Sequence, residues 1–282
     1  MCRTGAIGVL VALFLGSAPA ARACRLESLL ARLHTSGARP VSWLLATAFD
    51  ATAFDLDGIS GHYARVTTRA QYVRLQSLAV GAEVAVIQLH RNDLERPTSG
   101  LGNPLLFGLC PLPAWRGGSV ELGLQLGLPL GDAADGLASD HWEVLPHVGV
   151  AHEGRRLDVL ADGGVRVALG GGHEDCATPT ATDAPPLSSD TPLFVDPHAE
   201  KELLYRFGAN LHDPYSTRNI ALYVDAQHVL GNDSAISSQV ALGLEAGLQL
   251  GPRYRLHPGL EVPITASKRE DWSLRLEVRG FF

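Results

Sequence analysis

From residue 42 onward the chain alternates apolar with polar or small residues, a period of two that belongs to β-strands and leaves little room for helices. In Glu121-Leu122-Gly123-Leu124-Gln125-Leu126-Gly127-Leu128 one face is all leucine and the other carries Glu, Gln and Gly. Residues 239–250 set Val240, Leu242, Leu244, Leu248 and Leu250 against Gln239, Gly243, Glu245, Gly247 and Gln249. The last segment opposes Trp272, Leu274, Leu276 and Val278 to Ser273, Arg275, Glu277 and Arg279. A soluble β-sandwich alternates in the same way, so the period by itself leaves two architectures open.

Three features select a transmembrane antiparallel β-barrel. The polar face is charged at mid-strand in nearly every segment, which suits an aqueous lumen. Trp43, Tyr63, Trp142, Tyr254 and Trp272 fall near strand ends, where an interfacial girdle places aromatic side chains. The chain ends on Phe281-Phe282 after alternating apolar residues, the kind of C-terminal strand that the barrel-assembly machinery of the outer membrane recognises. No segment holds the roughly 20 apolar residues that a membrane-spanning helix requires.

The pattern predicts an all-β fold of about twelve strands at residues 41–54, 62–75, 78–89, 102–110, 119–130, 142–152, 156–169, 202–211, 219–230, 238–250, 254–264 and 272–282. Connections after even-numbered strands are mostly short, at 76–77, 153–155 and 251–253. Those after odd-numbered strands include the longer 91–101, 131–141 and 170–201. Short periplasmic turns that alternate with longer external loops place both termini on the periplasmic side.

Residues 1–23 read as a signal peptide, with Arg3, an apolar run from Ala6 to Leu15, and small residues up to Ala23, so that Cys24 begins the mature chain. The position of Cys24 also admits a lipoprotein, although Ala21 and Arg22 depart from the lipid-attachment pattern. The full chain has 23 basic and 30 acidic residues, and loss of Arg3 and Arg22 leaves a net charge of −9, which does not suggest nucleic-acid binding. Residues 24–40 are expected to form a periplasmic segment or a plug, with Leu26, Leu29, Leu30 and Leu33 on one side of a short helix, and residues 41–282 the barrel. Cys24, Cys110 and Cys176 are too few and scattered for a disulfide scaffold or a zinc site; the topology allows only a Cys24–Cys110 bridge at the periplasmic rim.

With the apolar face toward lipid, the expected channel lining is Arg65, Arg69, Glu83, Glu121, Glu143, His147, Asp158, Asp162, Arg166, Arg206, Asp225, Glu245, Arg255, Glu261, Arg275, Glu277 and Arg279, together with Glu202 and His257. The base is almost all arginine, whose guanidinium fork suits paired carboxylates in a confined space; Arg65 and Glu277 are expected near each other where the barrel closes. These charges either pair to fill a narrow barrel or line a solute path, and the excess of acid would disfavour anionic solutes. A lumen wide enough for water is the condition for conduction.

No G-x-S-x-G or H-E-x-x-H motif occurs, and Ser139-Asp140-His141 is a lone Asp-His pair at a loop edge, so no enzyme, catalytic residue, cofactor or metal is expected. The ligand-rich stretch His173-Glu174-Asp175-Cys176, then Asp183, Asp190, Asp196 and His198, matches no defined metal-binding loop.

Gly100-Leu101-Gly102-Asn103-Pro104 resembles the G-L-G-D strand start of outer-membrane transporters associated with the meta-pathway of phenol degradation. Leu126-Gly127-Leu128-Pro129-Leu130-Gly131-Asp132 resembles their L-P-x-G-D strand end, and the run from Tyr254-Arg255-Leu256 through Glu261-Val262-Pro263-Ile264 to Phe282 their last hairpin; Asn103 stands where the family has Asp. The resemblance implies a channel for passive uptake or efflux of small solutes, hydrophobic or aromatic compounds among them. The expected partners are outer-membrane lipids, the barrel-assembly machinery through the strand ending at Phe282, and a small-molecule solute. A non-conducting structural or adhesive barrel, or an outer-membrane hydrolase, are the rival readings.

Overall fold

The computed structural model describes residues 43–56, 59–74, 78–112, 118–170, 193–195, 198–212, 218–231, 238–265 and 270–282. The expected signal peptide at 1–23, the expected segment at 24–40 with its short helix, Cys24, Cys176 and the ligand-rich residues from His173 to Asp196 lie outside them.

Thirteen strands form one antiparallel sheet: β1 (Trp43–Leu56), β2 (Ile59–Arg74), β3 (Leu78–Arg91), β4 (Thr98–Leu101), β5 (Leu105–Leu112), β6 (Gly118–Gly127), β7 (Trp142–Glu153), β8 (Leu157–Leu169), β9 (Lys201–His212), β10 (Asn219–Val229), β11 (Gln239–Gln249), β12 (Tyr254–Pro263) and β13 (Trp272–Phe281). Each strand pairs with its chain neighbour, and β1 pairs with β13 from Leu44↔Phe281 to Ala53↔Trp272, which closes the sheet. β4 and β5 both pair with β3 and are two halves of one stave, so the barrel has twelve staves. The stave expected at 102–110 is therefore longer and interrupted. Pro104 has no N–H for the ladder, and the chain steps out of register at Gly102-Asn103-Pro104. The strand expected to reach 130 stops at Gly127, because Pro129 ends it in the same way.

All connections after odd-numbered staves lie at one rim, and the turns after even-numbered staves lie with both ends of the barrel wall at the other. These are called here the loop rim and the turn rim. Exposure alternates strictly on β13, where Trp272, Leu274, Leu276 and Val278 face out while Ser273, Arg275, Glu277 and Arg279 are buried inside. The same alternation leaves Val84, Val86, Leu122, Leu124, Leu222, Leu242, Leu244 and Leu260 on the outer surface, an apolar belt that only a lipid environment would solvate. Trp43 and Tyr254 ring the turn rim, with Tyr72 and Phe282 packed on them at 5.2 and 6.2 Å between ring centroids, and Trp142 and Trp272 ring the loop rim. Tyr63 is not part of this girdle. It shares the parity of Arg65, points inward, and its hydroxyl donates to Glu270 Oε1 at 2.6 Å.

Candidate functional site

The register sets charge opposite charge on the inner face. Asp50 lies opposite both Arg65 on β2 and Arg275 on β13, Arg69 opposite Glu83, Arg166 opposite Glu202, and Arg206 between Asp162 and Asp225. Directly opposed side chains on one face are the contacts a sheet makes most cheaply, so complementary residues at these positions become ion pairs.

The longest series runs across the closing seam. Asp50 receives Arg65 Nε and Arg275 Nη1, each at 3.6 Å; Arg275 Nε reaches Glu277 Oε2 at 3.5 Å; Arg279 Nε bonds Glu277 Oε1, and Arg279 Nη2 lies 3.9 Å from Glu245 Oε1. Glu245 then meets His257 Nδ1 at 3.0 Å. Arg65 thus meets Asp50 rather than Glu277 as its ladder partner, since strand β1 stands between β2 and β13. Asp50 carries no apparent signal in the sequence because Thr47-Ala48-Phe49-Asp50-Ala51-Thr52 alternates small residues with Phe and Asp, and only the closed seam shows its role.

Shorter groups complete the wall. Arg69 Nε donates to Glu83 Oε2 at 3.1 Å. Arg166 Nη1 lies 3.4 Å from Glu202 Oε2, and Arg166 Nε 4.0 Å from Glu143 Oε2. Arg206 bonds Asp225 and lies over the Tyr223 ring at 4.5 Å. That ring lies flat across Gly243, where an added Cβ would come within 2.0 Å of it, so only glycine admits it. Tyr223 also directs its hydroxyl to Glu261 at 3.5 Å. Near the turn rim Asp158 accepts Asn210 Nδ2 at 3.2 Å and faces His212, and Arg255 covers the Phe281 ring. Glu121 and His147 are buried on the inner face of β6 and β7.

Most of these groups are enclosed. Arg166, Glu202 and Glu277 are at most 1% exposed, and the cavity beside Glu143, Arg166, Gln125 and Leu145 measures about 10 Å³, room for about one water. Side chains fill the described interior at this level.

The loop rim holds what the sequence did not foretell. Leu101 N–H donates to Asp132 Oδ2 at 2.6 Å, Asp132 N–H returns to the Leu101 carbonyl at 2.8 Å, and Gly131 N–H donates to Asn103 Oδ1 at 3.0 Å. Two of the three stretches that carry the family resemblance, 100–104 and 126–132, are therefore one knot. Gly100 is required there, since a Cβ would meet Asp132 Oδ2 at 2.2 Å. The knot fixes the 128–141 loop over the mouth, where Leu137, Phe194 and Val195 pack on Phe54, Tyr63, Ala85, Ile87 and Leu89 in an apolar cap inside the barrel. Arg91 lies over Phe194 at 4.3 Å.

Beneath the knot Asn103 Nδ2 donates to Ser139 Oγ at 2.6 Å, and Ser139 Oγ donates to Glu143 Oε1 at 2.6 Å. His141 Nε2 sits 3.2 Å from His198 Nε2, and His198 Nε2 sits 3.4 Å from Glu143 Oε1. Asp140 Oδ1 lies 3.3 Å from His141 Nδ1. Burial, and then the neighbouring His198, hold the His141 imidazole below its ordinary pKa. The Ser139 hydroxyl serves Glu143 and Asn103, so the Asp-His pair is not arranged as a serine triad.

A closed twelve-stave barrel with an apolar belt and a charged interior is a bacterial outer-membrane protein. Solved structures agree. An outer-membrane channel from Pseudomonas putida F1 superposes with a TM-score of 0.60 at 12% identity, over 88% of this chain and 98% of that one. The KdgM porin gives 0.53 at 8% identity, over 85% and 99%. The β-domain of the Bordetella autotransporter BrkA gives 0.51 at 10% identity, over 86% and 100%. At such identities the likeness is one of fold. No family profile matches the sequence, and no curated protein does.

Proposed function

We propose that the protein is an outer-membrane channel for passive passage of small solutes, in a state whose lumen is closed by side chains. The observation that carries this reading is the ionic interior. A barrel interior filled with apolar residues would be as stable or more so, because desolvating paired charges costs about as much as their attraction returns. A lumen built of Arg–carboxylate series from β2 round to β11 fits a wall that meets water or polar solute when open. The lining is the inward set from Arg65 to Arg279, with Asp50 added. The acid excess favours neutral and cationic solutes over anions. Small hydrophobic or aromatic compounds are the class that the motif resemblance suggests.

The filled interior also favours a second reading, a non-conducting structural barrel. Planar-bilayer recording of the purified protein separates the two. The channel reading expects discrete openings that become more anion-permeable in Glu245→Gln; a silent membrane containing folded protein supports the structural barrel.

A further inference from the structure

We propose that His141, Glu143 and His198 form a divalent transition-metal site, of the zinc class, at the mouth of the barrel. Two imidazole nitrogens and one carboxylate are the ligand set of open three-residue zinc sites. The spacing suits a tetrahedral ion. Metal–ligand bonds of about 2.0–2.1 Å put neighbouring ligand atoms about 3.3–3.4 Å apart. His141 Nε2 and His198 Nε2 are 3.2 Å apart, His198 Nε2 and Glu143 Oε1 are 3.4 Å apart, and the three ligand atoms all lie within 4.8 Å of one another.

The surroundings hold these atoms in place. Asp140 takes the far nitrogen of His141, the carboxylate–histidine arrangement that fixes an imidazole tautomer for a metal. Ser139 Oγ donates to Glu143 and is itself held by Asn103, which ties the carboxylate to the knot at the break between β4 and β5. Arg166 stands 4.0 Å from the other oxygen of Glu143 and leaves Oε1 to the ion. An N–H on either of the two facing nitrogens can bridge them as a hydrogen bond, and a bound ion takes the place of that proton.

Three protein ligands leave a fourth position for water or a solute atom. Glu143 is on β7, His141 ends the 128–141 loop, and His198 precedes β9, so one ion would join two loops across the mouth. Zinc, cobalt, nickel and copper ions share this ligand preference, and calcium and magnesium do not.

The full-length protein, folded in detergent micelles, is titrated with Zn²⁺ alone by calorimetry and with Co²⁺ by visible absorption, alongside His141→Gln, His198→Gln, Asp140→Asn and, as a remote control, His212→Gln. Folding of each is read from its mobility on unheated gels. One Zn²⁺ per chain with a tetrahedral Co²⁺ spectrum is expected, with affinity lowered at least about tenfold in both ligand variants and in Asp140→Asn, and unchanged in His212→Gln. Saturating Zn²⁺ should raise the unfolding midpoint of the wild type more than that of the ligand variants. Absence of saturable binding to the folded wild type overturns the proposal. So does binding of equal affinity in His141→Gln and His198→Gln, which would assign the ion to ligands such as His173, Cys176 or Cys24. Should either histidine variant fail to fold, the wild-type titration and Asp140→Asn decide.

Discussion

At the scale of single residues, the closing seam of the inner wall depends on acids that each hold two arginines, Asp50 and Glu277. Glu277 is 1% exposed, bonded by Arg279 and 3.5 Å from Arg275 Nε. Glu277→Gln leaves two guanidinium groups facing each other without that carboxylate. Where the pair is shut away from water, removing one partner costs about 3–5 kcal/mol. A loss of about 3 kcal/mol in urea unfolding is therefore expected. A loss under about 1 kcal/mol, the range of solvated pairs, would show that water reaches the seam in the working protein. The substitution thus reports on the lumen as well as on stability. The histidines tell a second residue-scale lesson: His141 and His198 stand 57 residues apart, and nothing in either local sequence marks them as neighbours.

Elements divide the chain's residues between two solvents. On β11, Leu244 is 49% exposed on the outer belt, while Glu245 turns inward to His257 and Arg279. Leu244→Arg places a cation in the hydrocarbon at a cost of about 2–4 kcal/mol near the midplane, and should lower the yield of folded, heat-modifiable barrel. Glu245→Gln should fold to wild-type yield and change only ion preference. Equal folding of the two arginine and glutamine variants would reverse the faces of the sheet. The interrupted stave shows an element that periodicity alone reads incompletely. The sequence reads 102–110 as one strand and 91–101 as a loop, yet the stave is made of Thr98–Leu101 and Leu105–Leu112, and the break between them supplies Asn103 and the Leu101 amide to the 128–141 loop.

For the whole molecule, the separation of short turns from long loops sets the expected orientation. The loop rim, with the apolar cap, is expected to face the outside, and the turn rim, with both ends of the barrel wall, the periplasm. Protease added to intact cells should cut only between residues 176 and 197, and leave the turns after β2 and β11 whole until the membrane is permeabilised. Cutting at those turns first would invert the barrel. Cys110 lies near the turn rim but on the outward face, so a bridge to Cys24 would have to run along the outside of the wall.

The sequence by itself determined the class of fold, the number of staves, the in-or-out direction of nearly every strand residue and the alternation of loop lengths. All of these follow from the two-residue period and from breakers such as Pro104, which act within a few positions of themselves. Tertiary structure alone decided which charges meet. The register of β1 against β13 brings Asp50 to Arg275 across more than two hundred residues, and only the closed barrel makes those strands adjacent. It likewise decided that Tyr63 points at Glu270, that the two glycine motifs lock into one knot, and that His141, Glu143 and His198 converge. The physical reason is one of range: periodicity is a local property of the chain, whereas a pair of charges or a metal site is made by distances that exist only after the sheet has closed.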